Sequence, residues 1–233
     1  MLDKKILTQL GHLHPITQFL HQTLKFWQKE GFEIFVGPEI ETEYFNFDFL
    51  RMPKNHPARD VQDTFWLKDN RLLRTHTTSV QGRVMKKVSP PVRIISPGRV
   101  FRNEATDYAH EAAFFQMDGF AIDKNITMAH LIGLLKKFLK TVVSPQLKIK
   151  FYPHHYPFVE PGMDVAIFWQ NQWLEVLGSG MIHPEVLANM GVDPQIWQGF
   201  AFGLGIDRLL MLLLDLDDIR WFYRGDLRFL KQF

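Results

Sequence analysis

A chain of 233 residues, 46% of them hydrophobic and none of them cysteine, is long enough to bury a sizeable core unaided. It excludes a disulfide framework, a thiolate nucleophile and a cysteine-held zinc. Lys and Arg number 27 against 25 Asp and Glu, a formal net charge of +2, too balanced for the clearly basic footprint of a dedicated nucleic-acid binder.

The first ten residues carry Asp3, Lys4 and Lys5 rather than an apolar signal core. The longest apolar run, residues 209–214, is far too short for a membrane span, so a soluble, cytosolic protein is expected. Residues 17–29 place Phe19, Leu20, Leu24 and Phe26 at helical spacing, with Pro15 ahead and Gly31 behind as start and stop signals. Residues 32–36 read as a strand ended by Gly37-Pro38. An aromatic, irregular stretch at 44–50 leads into a long ordered loop around Pro53 and Pro57. Residues 64–67 and 72–75 flank Lys68-Asp69-Asn70-Arg71 as a hairpin. A helix over 79–88 stops at Ser89-Pro90-Pro91, and the basic residues Arg83, Lys86, Lys87 and Arg93 read as a solvated face. Strands follow at 92–95 and 99–103, on either side of Pro97-Gly98, and a buried one at 113–122.

Asn125 is the expected cap of a long amphipathic helix through Met128, Leu131, Leu134, Leu135, Phe138 and Leu139. Three more strands fall at 148–152, 164–169 and 173–178, and a helix at 184–190. Residues 200–214 begin with glycines and turn into a leucine-rich helix. Consecutive hairpins with helices inserted between them predict an α+β fold, its sheet mixed but mainly antiparallel. With 21 phenylalanines, aromatic packing should dominate the interior. Trp169, Trp173 and Trp197 are read as packing residues. Adjacent His154 and His155 are read as structural, because neighbours on a strand point apart.

The sharpest pattern is Phe101-Arg102-Asn103-Glu104, returning after a polar loop as Phe114-Phe115-Gln116-Met117-Asp118-Gly119. An arginine leaving a strand end presents a planar fork that fits phosphate oxygens. A phenylalanine on the return strand can stack on a flat base. An ordinary hairpin with a surface Arg–Glu pair explains this segment alone equally well. The second pattern is Gly199-Phe200-Ala201-Phe202-Gly203-Leu204-Gly205-Ile206-Asp207-Arg208, glycines followed by an arginine at a helix start. Its spacing matches neither a dinucleotide nor a P-loop fingerprint.

Taken together, the two patterns resemble the second and third signature motifs of class II aminoacyl-tRNA synthetases. The helix and strand running to Pro38 resemble the first. Further segments are similar to the phenylalanine–tRNA ligase α-subunit family, bacterial type: Gly11-His12-Leu13-His14-Pro15-Ile16-Thr17-Gln18, Asn46-Phe47-Asp48, His56-Pro57-Ala58-Arg59-Asp60, Asp63-Thr64-Phe65-Trp66, Leu72-Leu73-Arg74-Thr75-His76-Thr77, Tyr156-Pro157-Phe158-Val159-Glu160-Pro161 and the closing Asp226-Leu227-Arg228-Phe229-Leu230-Lys231-Gln232-Phe233. The resemblance covers essentially the whole chain, in order.

That resemblance implies a class II catalytic domain over residues 1–233, without the family's amino-terminal coiled-coil arm that embraces tRNA. It implies ATP-dependent formation of phenylalanyl-adenylate and transfer to tRNA(Phe). Arg102 would contact the α-phosphate and the substrate carboxylate, and Arg208 the far end of the triphosphate. Phe114 would stack on adenine and Glu104 read its amine, with His76 and His110 helping to bind phosphates. Gln116 and Asp118, with Thr78 and Trp66 near, would receive the ammonium. Tyr156 and Phe158 would face the substrate ring, and Val159 and Ala201 close the pocket floor. Glu160 would be a Mg²⁺ ligand shared with a β subunit in an α2β2 heterotetramer, or the chain would form a homodimer where β is absent. The family usually has phenylalanine at Tyr156, histidine at Phe115, glutamate at Asp118 and Asp207, and serine at Thr78. Two rival readings remain: a paralogue adenylating another amino acid or loading another acceptor, and a non-catalytic regulatory module on the same fold.

Overall fold

The computed structural model describes residues 11–60, 63–108 and 110–233; the first ten residues, read above for a signal core, lie outside them. Helix α1 (Pro15–Lys29) begins with a proline in its first turn, and His14 Nδ1 accepts the Ile16 amide proton. Gly31, at φ +81°, turns the chain out of it. The inner face of α1 carries Trp27, fully buried, which stacks on Phe138 at 4.8 Å and on Phe202 at 4.6 Å. Such ring pairs stabilise by roughly 1 kcal/mol each beyond area burial, and these two fasten α1 to both a second helix and the sheet.

After β1 (Glu33–Ile34) come β2 (Ile40–Thr42), a one-turn α2 (Glu43–Asn46), β3 (Arg71–Leu73) and α3 (Val80–Met85). Strands β4 (Val92–Phe101) and β5 (Ala113–Asp123) form a long hairpin, followed by α4 (Met128–Val142). Then come β6 (Ile149–Pro153), β7 (Val159–Trp169), β8 (Gln172–Ile182), α5 (Pro184–Asn189), β9 (Gln198–Gly205), α6 (Ile206–Leu213) and α7 (Leu227–Leu230). Seven strands make one sheet in the order β1-β4-β5-β9-β8-β7-β6, and only the β1–β4 pair is parallel. This is the mainly antiparallel α+β architecture expected. Strands β2 and β3 pair separately.

Several expectations need correction. Pro97-Gly98 does not divide β4, which stays in register with β5 from Val92 to Phe101. Strand β1 covers only Ile94 and Ile95 on the other side, so the proline sits on an edge, where a missing N–H is tolerated. Thr127, not Asn125, caps α4, in a reciprocal capping box with His130. Residues 200–214 hold the end of a strand before the helix, and Trp173 is exposed against Phe168 rather than buried.

Alternation along the strands divides the sheet into two faces. Ile95, Met117 and Ala121 join the larger core under α1, α4 and α6. On the other face Ile94 and Phe120 join a smaller cluster with Phe49, Val80, Val186 and Leu187. Gln116, Asp118, Ala201, Gly203 and Gly178 are in register with one another on that second face. Its central strands are nearly bare of side chains, which leaves room for a cleft.

Candidate active site

Two cavities occupy the second face. The larger, about 480 Å³, is lined mainly by apolar and aromatic groups, among them Leu50, Tyr156, Phe158, Val159, Ala201 and Phe202. The smaller, about 260 Å³, is lined mainly by charged groups: Arg102, Glu104, His110, Glu111, Glu175, Asp207 and Arg208, with Phe114. Arg102, Gln116 and Gly178 line both. They form one continuous cleft, apolar at one end and polar at the other, with Arg102 at the junction.

Arg102 follows the last residue of β4 and is tied to the return strand, its amide donating to Ala112 O at 2.9 Å. Its guanidinium lies 5.1 Å over the Phe114 ring, and Nε donates to Thr75 O at 3.2 Å. The nearest carboxylate, Glu104, is 4.0 Å away. The fork therefore lies over an aromatic face with its charge only loosely matched. Arg208 reaches the polar cavity from the first turn of α6 and makes no ion pair among the described residues. Glu104, Glu111 and Glu175 share this cavity with the two arginines, so it offers two guanidinium forks for phosphate oxygens and carboxylates for a cation.

Beneath them the carboxylate of Asp207, 1% exposed, ties three segments together. Its Oδ2 accepts from the Phe115 amide at 2.8 Å and from the Tyr223 hydroxyl, while Oδ1 has no partner. Burial pushes this carboxyl up to about 7.

In the apolar half, Asp118 is 3% exposed and lies behind the cavity wall rather than in it. Thr78 Oγ1 donates to its Oδ2 at 2.6 Å. A Cβ on Gly203 would fall 2.5 Å from Asp118 Oδ1 and 3.2 Å from Gln116 Nε2, so only glycine lets β9 pass over these groups. Asp118 Oδ1, Gln116 Oε1 and His76 Nδ1 all lack a hydrogen-bond donor. Two unsatisfied acceptors on residues lining the cavity, with a third behind its wall, suit a ligand rich in N–H donors, such as an ammonium.

His76 Nε2 lies 3.0 Å from Asn46 O, which only accepts, so Nε2 carries the proton and Nδ1 is left as an acceptor. Burial, and then Arg102, lower its pKa to about 4. A neutral ring with a free acceptor does not suit a phosphate oxygen, the role expected for His76; it suits an N–H donor.

Arg102, Arg208, Glu104, His110, Phe114, Gln116, His76, Thr78, Tyr156, Phe158, Val159 and Ala201 thus all line the cleft. Three residues do not, Asp118 behind the wall being the first. Trp66 donates its indole N–H to Arg59 O at 3.2 Å and packs near Phe47, outside both cavities. Glu160, its side chain 75% exposed, faces His183 Nε2 at 3.3 Å on the surface. No cluster of three metal-ligating side chains occurs among the described residues.

Sequence reasoning also missed contributors. His154 and His155, read as structural, both line the apolar cavity: they follow the end of β6, where strand alternation no longer applies. Glu175 enters the polar cavity at an irregularity in the β7–β8 register between Val165 and Ala166. Arg74, 1% exposed, donates to Arg99 O at 2.7 Å and to Gly37 O at 3.0 Å, clamping the strand that leads into Arg102.

Comparison with known proteins gives this geometry a context. The family model described as tRNA synthetases class II core domain (F) matches residues 3–233. The phenylalanine–tRNA ligase alpha subunit of Clostridium perfringens is 49% identical over 236 residues, covering 96% of this chain and 70% of the relative. Those of Caldicellulosiruptor bescii, at 46% over 97% of the chain and 70% of the relative, and Cronobacter sakazakii, at 50% over 96% and 68%, are similar in the same way.

Proposed function

This chain belongs to the class II aminoacyl-tRNA synthetases, among the phenylalanine–tRNA ligase α subunits, and from that premise we propose how its cleft does the work. The enzyme is a ligase. It activates L-phenylalanine with ATP, releases pyrophosphate and passes the phenylalanyl group to tRNA. The observation that carries the assignment of residues is the position of Arg102, shared by the apolar and polar cavities.

The benzyl group occupies the apolar half, between Tyr156 and Phe158 and against Val159 and Ala201. The ammonium meets Gln116 and His76, with Asp118, at the end of Thr78's hydrogen bond, behind them. Asp118 is one methylene shorter than the family's usual glutamate and sits behind the wall, which favours an indirect contact. ATP occupies the polar half, its base on Phe114 with Glu104 reading the amine, and its phosphates run past His110 to Arg208. The substrate carboxylate attacks the α-phosphorus in line, the bond to the bridging oxygen of pyrophosphate breaks, and a mixed anhydride forms. Arg102 touches both reacting groups and neutralises the charge that develops. No protein nucleophile or base is required; positioning and fixed charge are the catalytic agents. A terminal ribose hydroxyl of the tRNA then attacks the anhydride carbonyl, and AMP leaves.

Mg²⁺ fits the polar half by donor chemistry as a phosphate-bound ion: Glu104, Glu111 and Glu175 do not converge as a three-ligand cluster, and one or two of them together with phosphate oxygens would hold it. When bound, the ion neutralises phosphate charge. Glu160 is a single exposed carboxylate, so a second ion there needs ligands from outside the chain. This supports the reading of a site shared with a β subunit. An α2β2 assembly is the reading favoured, with a homodimer where β is absent. A cytoplasmic location is the reading taken from the family; no helix among the described residues is long and apolar enough to cross a membrane.

The test is ATP–pyrophosphate exchange across the amino acids, with and without a β subunit. Exchange that depends on phenylalanine is expected. Exchange supported by another amino acid and not by phenylalanine would favour the paralogue; none with any amino acid, with β present, would favour the non-catalytic module.

A further inference from the structure

Asp164 lies within β7, 1% exposed, between Met163 and Val165 of the larger core. A carboxylate so placed needs partners. Tyr156 Oη donates to its Oδ1 at 2.6 Å. His154 Nδ1 lies 2.8 Å from Oδ2, a close polar contact rather than an aligned hydrogen bond. Both partners line the apolar cavity, and Asp164 itself does not. The His154 ring lies 4.5 Å from that of Tyr156, which in turn stacks on Phe158 at 5.5 Å and 27°.

The residue opposite Asp164 on β8 is Gly178, and a Cβ there would fall 2.7 Å from Tyr156 Oη. The phenol therefore fills the space that a bare strand position leaves, and its hydroxyl ends on the carboxylate beneath. A ring held at both ends, by stacking and by a short charge-assisted bond, cannot tilt without breaking one of them. Its only proton is committed to Asp164, so the ring offers no donor to an arriving substrate hydroxyl.

We propose that Asp164, supported by His154, is a specificity-determining positioning residue. It fixes Tyr156 as a rigid wall of the amino-acid cavity and keeps that ring from donating to a para-hydroxyl, so that a tyrosine side chain loses a water donor there that Tyr156 does not replace. The proposal rests on reading the cavity as the phenylalanine pocket and adds a basis for its selectivity.

The experiment is phenylalanine- and tyrosine-dependent pyrophosphate exchange by the full chain with its β subunit, as wild type, Asp164→Asn, Tyr156→Phe and the double variant. Asp164→Asn should raise the phenylalanine KM about tenfold, the effect of weakening one charge-assisted hydrogen bond. The ATP KM should stay within about twofold, and the preference for phenylalanine over tyrosine should narrow. In the Tyr156→Phe background the same substitution should shift the phenylalanine KM by less than about twofold, because the hydroxyl it acts through is gone. Equal shifts in both backgrounds, equal shifts in the ATP KM, or an unchanged phenylalanine KM overturn the proposal. Where Asp164→Asn does not fold, His154→Gln at the half-exposed partner decides. A rise in phenylalanine KM with an unchanged ATP KM supports the proposal; no change overturns it. Wild-type enzyme inactive with phenylalanine would sink the pocket reading and this one together, whereas an active wild type with unmoved variants sinks this one alone.

Discussion

Asp207 offers a test in which sign and size both follow from the structure. Burial raises its carboxyl from the ordinary 3.8 to about 7, against hydrogen bonds from Tyr223 and the Phe115 amide that favour the ionised form. The native state therefore binds a proton more tightly than the unfolded chain. Between pH 4 and 7 the unfolded state releases that proton first, so stability falls as pH rises and levels off above 7. At 1.36 kcal/mol per pH unit, the displacement amounts to roughly 4 kcal/mol of destabilisation at pH 8. Asp207→Asn removes the charge. It also places an amide donor where Oδ1 has no partner, which costs about 1–3 kcal/mol. The net expectation, without ATP, is a variant about 1–3 kcal/mol more stable than wild type at pH 8 and equal or less stable at pH 4.5. At roughly 2–4 °C per kcal/mol for a chain of this size, thermal melts across that range would resolve it. Tyr223→Phe should act oppositely, lowering stability mainly above pH 7 because only the ionised carboxylate loses a partner it depends on. A stability difference between Asp207→Asn and wild type that does not vary with pH would refute the reasoning.

The other predictions concern the cleft and its support. Arg102→Ala should reduce phenylalanine-dependent exchange about 10²- to 10³-fold, as removal of a fixed transition-state donor does, with circular dichroism unchanged. Gly98→Ala would bring a Cβ within 2.0 Å of Arg74 Nη2, and with Arg74 buried and hydrogen-bonded it should destabilise the fold by about 1–3 kcal/mol or prevent folding, read by thermal melts. Tyrosine should support measurable exchange about a hundredfold less efficiently than phenylalanine, since an apolar pocket rejects an added hydroxyl only to that degree; no exchange at all with tyrosine would contradict this.

The parts of the site that the sequence made legible are those whose spacing is local. Phe101 to Glu104 and the return through Phe114 and Gln116 form one hairpin, and Arg208 follows its glycines directly, so type and interval carry the information. Asp118 was legible as an acid near that hairpin, but not as one hidden under β9, because its burial depends on Gly203, a contact across 85 positions of chain. Asp164 was less visible still. The strand was expected to begin at Asp164. Strand β7 in fact begins at Val159, and the carboxylate is buried because Tyr156 and His154 fold back onto it. Arg74 reads as one more basic residue in a hairpin; its role as a strut under Arg102 depends on carbonyls from two other segments.

The chemistry requires one cation to touch two ligands of opposite character, one with an apolar tail and one with a chain of phosphates. Arg102 meets this requirement from just beyond the end of β4, where the return strand holds its backbone and Phe114 supports its guanidinium from below. Gln116, two residues along the return strand from Phe114, then separates the apolar room from the charged one while lining both. The glycines of β8 and β9 are the other half of this arrangement. A Cβ on Gly178 or Gly203 would strike Tyr156 Oη or Asp118 Oδ1, so the bare floor is what lets polar anchors stand behind an apolar pocket. Selectivity for a benzyl group and reactivity toward a phosphate therefore depend on the same few strand positions, and changes at Gly178 or Gly203 should disturb the amino-acid KM before they disturb ATP.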